Sequence, residues 1–398
     1  MDRKLWNPDD LDRMRYETDP VADAVVESFG GDVALAAELL DALVRTGEGT
    51  PETDERLRAF RAQTRALPTW ADRAKIEHGQ RLISKNLVPG TILLAMTSLP
   101  QCYLDWKGAP VLTSTHQLTK HIFRRLIQTS HMVFTVYEPG SLFDDPSAPE
   151  RIPAGISKSQ TVRLMHALMR HLILQPAPDG MDVPKSMAET MWIRSWDSET
   201  LGLPINQEDE AYVILTFSYV TIEGFRKLAM ILTDEDKDAI IHLWSVVGYV
   251  MGVHEGLLAH SYADAAVLFA LLRARLRGPS AEGEQLTGAL VEWIDGLLPW
   301  WLQWFDAGGE LIQFFNGEDD AQVLGIESSG VDGIVHAVID AMLPSYGKVA
   351  HLAGQPAPFQ RLVNFLAQKM IEKVWAETQS WSRSIDWPDH VRVAATGS

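Results

Sequence analysis

TVRLMHALMRHLI, residues 161–173, sets the reading of this chain. Val162, Met165, Leu168, Met169 and Leu172 recur at three- and four-residue spacing, the period of an amphipathic helix. Arg163, His166 and Arg170 share one face of that helix. The same period returns on both sides of the stretch. It predicts helices over Asp72–Leu87, Leu118–Val136, Lys158–Leu174, Glu208–Leu232 and Asp234–Met251, with a shorter one over Val33–Val44. Alternating strand patterns are scarce, so the expected class is all-α. Turn-forming residues place loops at Pro139-Gly140, Asp144–Pro153, Pro176–Pro184 and Gly278–Gly283.

Composition narrows the function classes. The 398 residues are 46% hydrophobic and 22% charged, an ordinary globular balance. A net charge of −18 repels phosphate backbones, which argues against nucleic acid or an anionic membrane surface as main partner. Cys102 is the sole cysteine, so there is no internal disulfide framework and no multi-cysteine metal site. The opening MDRKLWNPDD passes straight into polar residues, and no run of about 18 apolar residues follows. The expectation is a cytoplasmic chain without export signal or membrane span. Between Ala289 and Phe315 aromatics crowd together (Trp293, Trp300, Trp301, Trp304, Phe305, Phe314, Phe315), at a spacing that suits helix packing or the wall of an apolar pocket.

Chemistry concentrates on the opening stretch. Two guanidinium groups beside His166 would oppose its protonation and keep the imidazole ready to bind a metal. The same arginines could pair with two carboxylates, an arrangement that heme offers with its iron and two propionates. A packed helix with a satisfied histidine and salt-bridged arginines fits the pattern as well. Other chemistries lack their signatures: there is no HExxH, GxSxG, Walker loop or GxGxxG after a strand, and His116 and His121 lack zinc-site spacing.

RLMHALMR resembles the Arg-x-x-His-Ala-x-x-Arg helix of the rubber oxygenase (latex clearing protein) family, which also contains the oxygenase of mycophenolic acid biosynthesis. Five further fragments fall in the family's order: PTWAD at 68–72, SLPQCY at 98–103, RRLIQT at 124–129, LPINQED at 203–209 and HLWSVVGYVMGV at 242–253. The resemblance implies a heme b oxygenase with His166 as proximal iron ligand, and Arg163, Arg170 and His171 holding the heme and its propionates. It places Arg125 and Thr129 on the distal side, with Gln128 where relatives carry a lysine able to approach the iron. Relatives also carry a distal glutamate, whereas Trp106–Thr115 holds no acidic residue and Asp105 stands out of register. Dioxygen and an apolar, isoprenoid-like substrate are the implied partners. A non-catalytic heme or ligand carrier, or a heme peroxidase or dehydrogenase acting on an aromatic metabolite, are the alternatives.

The fold implied is one large helical domain with a globin-like core around the heme. Residues 1–60 form an N-terminal helical extension, 61–275 the heme-binding oxygenase core, and 276–398 C-terminal helices packed on it. Within LPINQED, Asn206, Gln207, Glu208 and Asp209 read as a helix N-terminus. Trp244, Gly248 and Gly252 read as packing positions.

Overall fold

Pro153 starts the central helix, α4 (Ala154–Leu174), one turn earlier than the periodicity predicts. Proline favours an extended residue before it and cannot continue a helix upstream. The N–H of Gly155 in the new first turn donates to the Ser141 carbonyl at 2.8 Å. The computed structural model describes residues 4–29, 55–113, 129, 131–175, 196–228, 230–296 and 307–327. The predicted helix at Val33–Val44, most of Leu118–Val136, the break at 176–184, Trp300, Trp301, Trp304, Phe305, Arg125 and Gln128 lie outside them.

Among the described residues the fold is all-α; the only strand-like feature is an isolated bridge between Asp105 and Arg277. Elements around α4 are α1 (Pro8–Met14), α2 (Pro20–Glu27), α3 (Arg73–Lys85), α5 (Gln207–Phe217), α6 (Tyr219–Lys227), α7 (Asp234–Val250), α8 (Tyr262–Leu276) and α9 (Ala281–Asp295). Several starts are written in the sequence. Asp72 caps α3 by accepting from Ala74 N and Lys75 N, and Thr233 with Asp236 forms a reciprocal capping box on α7. Ser280 caps α9 by accepting from Gly283 N, so the predicted break at Gly278–Gly283 is shorter than its glycines suggest.

The single helix predicted over Glu208–Leu232 is instead two. The chain bends at Ser218 (φ −105°, ψ −77°), between α5 and α6. Ser218 Oγ donates to the Ile214 carbonyl at 2.8 Å, and Ser98 Oγ donates to the Thr216 carbonyl at 2.7 Å. The Ile214 carbonyl thus carries a hydroxyl beside the Ser218 N–H, and the Thr216 carbonyl at the bend is met by a hydroxyl from another segment. The second helix ends at Lys227, short of Leu232, and Lys227 Nζ donates to the Phe315 carbonyl at 2.7 Å.

A second irregularity lies in 87–103, where a π-helical turn, Leu94–Ser98, joins helical segments Leu87–Leu93 and Leu99–Tyr103. Pro100 has no N–H for the Met96 carbonyl four residues back. Asn316 Nδ2 donates to that carbonyl at 2.8 Å. Such turns are frequent at functional sites.

One cluster of buried apolar side chains runs from Leu5 to Leu324. A second joins α2, Glu55–Gln63 and α4 through Val26, Phe60, Leu168 and Leu172. Leu168 and Leu172 are fully buried, each contributing about 1.5–3 kcal/mol of burial. Helices α3 and α7 approach closely at Gly79, where a Cβ would meet the Ala239 carbonyl oxygen at 2.8 Å. Trp293 and Phe315 belong to the core, and among the described aromatics of Ala289–Phe315 none lines the cavity beside His166. For these, packing is the outcome.

Candidate functional site

Helix α4 has two working faces. Val162, His166 and Met169 line a cavity of about 220 Å³. Since a buried water needs about 10–15 Å³ by this kind of measure, the space suits an organic group. Arg163 and Arg170, seven residues apart, lie roughly 20° from one another around the helix and roughly 60° or less from His166. They point to α2, and neither lines the cavity.

Arg163 forms a two-pronged pair with Asp19, from Nε to Oδ2 and from Nη2 to Oδ1 at 2.8 Å, and Nη1 donates to the Val250 carbonyl at 3.1 Å. Asp19 also caps α2, accepting from Val21 N and Ala22 N. Gly252 (φ +90°) makes this possible: a Cβ there would meet Asp19 Oδ2 at 2.5 Å and Arg163 Nε at 2.7 Å. Arg170 pairs with Asp23 at 2.9 Å and donates from Nη1 to the Ile205 carbonyl at 2.6 Å. Ile205 sits at φ +54°, an uncommon state for a β-branched residue, and lines the cavity. His171 is half-buried and stands near Glu27 and Asp23, with burial lowering its pKa below the usual histidine value.

The surroundings of His166 therefore differ from the sequence expectation. The arginine charges are met by Asp19 and Asp23, and the ionisable group touching His166 is Glu210: its Oε1 is 2.5 Å from Nδ1. The oxygen lies off the N–H direction, so the contact is not an aligned hydrogen bond and Nδ1 is left unsatisfied. No hydrogen bond joins Nε2 to any described residue. Glu210 lies one residue beyond the LPINQED fragment. Nothing local in the sequence marks it, because its partner is on another helix.

The neighbouring residues have other duties. Asn206 caps α5, accepting from Glu208 N and Asp209 N at 3.0 Å. Gln207 ties Thr18, Gly252 and His254 together through its side-chain amide. Arg15 of the N-terminal segment donates to Glu208 and Asp209 at 3.0 Å, and Arg275 donates to Glu208 at 2.5 Å. Capping thus describes Asn206, whereas Gln207, Glu208 and Asp209 fasten distant segments. Asp209 lines the cavity; burial pushes its carboxyl up to about 8 against the pull of Arg15. Asp105, out of register by sequence, lines it too. Burial raises its carboxyl to about 6, opposed by Arg15 and by the N–H groups of Lys107 and Gly108, which donate to it.

Most of the remaining wall is apolar, including Leu99, Val111, Met132, Val133, Phe217 and Trp244. Trp244 is fully buried, stacks on Phe217 at 5.0 Å and donates from Nε1 to Tyr137 Oη at 3.0 Å. Thr129 also lines the cavity. The recognised fragments thus meet around one space: Leu99, Cys102 and Tyr103 from SLPQCY, Thr129 from RRLIQT, Ile205 and Asp209 from LPINQED, and Trp244 and Met251 from HLWSVVGYVMGV. PTWAD instead starts α3, with Asp72 N donating to His242 Nε2 at 2.8 Å. Burial holds His242 down to about 4, which keeps that nitrogen an acceptor.

The donor set decides what kind of metal group fits. Among the described residues no three histidine, cysteine or acidic side chains cluster to hold a bare ion. A macrocycle that brings its own four equatorial ligands asks the protein for one imidazole in an apolar cleft, and His166 in this cavity meets that requirement. The propionates are a different matter, since Arg163 or Arg170 could take one only by releasing Asp19 or Asp23.

The fold is similar to that of a solved latex clearing protein in its closed state, with a TM-score of 0.66 and 18% identity over 90% of this chain and 91% of that one. The sequence is 22% identical over 288 residues to the rubber oxygenase of Streptomyces sp. (strain K30); the match covers 69% of this chain but only 62% of that relative. Residues 95–373 match the family described as the catalytic domain of the ER-bound oxygenase mpaB/B'/rubber oxygenase. With that match spanning well over half of its length, the chain belongs to the mpaB/B'/rubber oxygenase catalytic-domain family.

Proposed function

We propose that the protein is a heme b-dependent oxygenase that uses dioxygen to oxidise or cleave an apolar, unsaturated, isoprenoid-like substrate. One observation carries the reading: His166 lines a largely apolar cavity with Nε2 unengaged by any described residue. Heme, when bound there, supplies an iron at which dioxygen is activated. His166 is the iron's protein ligand. Leu99, Val111, Phe217 and Trp244 give the substrate an apolar wall and keep bulk water out. Thr129 offers a hydroxyl at the same space. Burial raises the carboxyls of both Asp209 and Asp105 in the wall, so this pair holds a proton more readily than exposed carboxylates do. Arg163 and Arg170 act by fixing α4 and the strained Ile205 turn.

The test is the absorption spectrum of the purified protein beside His166→Ala, with heme content by pyridine hemochromogen. A Soret band in the wild type that is lost or strongly altered in the variant supports the reading. A well-folded wild type that takes up no heme on reconstitution overturns it. Dioxygen consumption with polyisoprene oligomers and terpenoids then examines the substrate class, with hydrogen peroxide dependence marking peroxidase chemistry instead.

A further inference from the structure

Three consecutive acidic residues open α5, and they are not equivalent. Glu208 is paired with Arg15 and Arg275, and Asp209 with Arg15 and Asn206. No lysine or arginine among the described residues pairs with Glu210. Its carboxylate is nonetheless buried, 9% exposed, in the cavity wall, and its one ionic contact among the described residues is His166 Nδ1 at 2.5 Å. A buried carboxylate without a cation is costly unless a strong donor serves it. In the tautomer that leaves Nε2 free for a metal, the unsatisfied Nδ1 beside it is a donor in need of an acceptor. Only the ring orientation separates the two, and a histidine's second side-chain torsion is broad, so a modest rotation aligns the N–H with Oε1. Binding of a metal at Nε2 would fix that orientation.

We propose that Glu210 is the positioning residue of the iron ligand, accepting the Nδ1 proton of His166 in a hydrogen bond when heme is bound. The inference rests on the heme reading above and concerns what this chain does to the iron. A carboxylate on Nδ1–H fixes the tautomer that leaves the Nε2 lone pair for the metal. It also gives the ring partial imidazolate character. The stronger donor favours ferric over ferrous iron and stiffens the iron–histidine bond.

The experiment compares heme-loaded wild type, Glu210→Gln and Glu210→Asp by resonance Raman of the ferrous form and by redox titration. Glu210→Gln is expected to retain heme, to move the iron–histidine stretch to lower frequency, and to raise the ratio of reduced to oxidised protein at fixed potential about tenfold, a midpoint shift of about 59 mV for one electron. Glu210→Asp is expected to return both readouts toward wild type. A purely structural role would leave both unmoved. A heme-loaded Glu210→Gln with the wild-type stretch and midpoint overturns the inference and leaves the heme reading standing. A wild type that takes up no heme overturns both.

Should Glu210→Gln fail to fold or load, His166→Gly with heme and either imidazole or 1-methylimidazole keeps Glu210 and removes only the N–H. Wild-type-like spectra with imidazole and a downshifted stretch with 1-methylimidazole support the hydrogen bond. Shifts no larger than those of the same two ligands on free heme overturn it.

Discussion

The two faces of α4 carry polar groups under opposite conditions. Toward α2, each arginine is matched: Arg163 by Asp19 and the Val250 carbonyl, Arg170 by Asp23 and the Ile205 carbonyl. Toward the cavity, His166 keeps an unsatisfied Nδ1 beside a carboxylate that no described lysine or arginine pairs with. A polar group that folding needs is completed within the chain, because an unmet buried charge costs several kcal/mol. A polar group reserved for a ligand is left incomplete, and its cost is recovered on binding. The arginine face therefore reads as architecture and the histidine face as chemistry, although four residues at most separate them in sequence.

The largest effects should fall on the arginine face. Arg163→Ala leaves Asp19 buried without its partner and is expected to lower stability by about 3–5 kcal/mol, read by urea unfolding of the heme-free protein. His166→Ala in the same assay should cost less, roughly 1–2 kcal/mol, because the Nδ1 it removes is already unmet and the loss is confined to its contact with Glu210. Equal losses from the two would break the contrast. Gly252→Ala forces a Cβ against Asp19 Oδ2 at a φ of +90°, and about 1–3 kcal/mol of destabilisation is expected. A neutral result would mean that the Arg163–Asp19 pair shifts freely. Asn206→Ala removes the α5 cap and should cost about 1 kcal/mol, with heme content showing whether the loss reaches Glu210.

The smallest effect at low pH, growing with pH, belongs to Asp209. Its carboxyl is raised by burial from an ordinary value of 3.8 to about 8, so the folded state holds its proton more tightly than the unfolded chain. The stability this provides is complete below about pH 4 and is lost as pH rises toward 8. Asp209→Asn should flatten that part of the melting temperature profile between pH 4 and 8. A variant with the wild-type slope would mean that Arg15 holds Asp209 ionised throughout.

Much of the architecture was legible because helices are local. Three- and four-residue periodicity located α3, α4 and α7 to within a turn, and Asp72 and Thr233 mark their starts in the sequence itself. The break at Ser218 was not legible, since it depends on Ser98 Oγ reaching the Thr216 carbonyl from another helix. His166 stands out in the sequence through its flanking arginines, yet their partners are not legible there. Those arginines serve Asp19 and Asp23, more than 140 residues away along the chain.

The sequence by itself determined an all-α chain, the helix that carries His166 and the fragments that mark its family. Those are matters of backbone period, capping and composition, which neighbours in the chain settle among themselves. Tertiary structure alone decided which side of α4 faces a cavity, that Asp105 joins its wall, and that Glu210 rather than Asp209 meets His166. Each of these is a meeting of side chains from separate helices. A helix turns by roughly 100° per residue, so only its packed orientation determines which of three adjacent carboxylates reaches the imidazole.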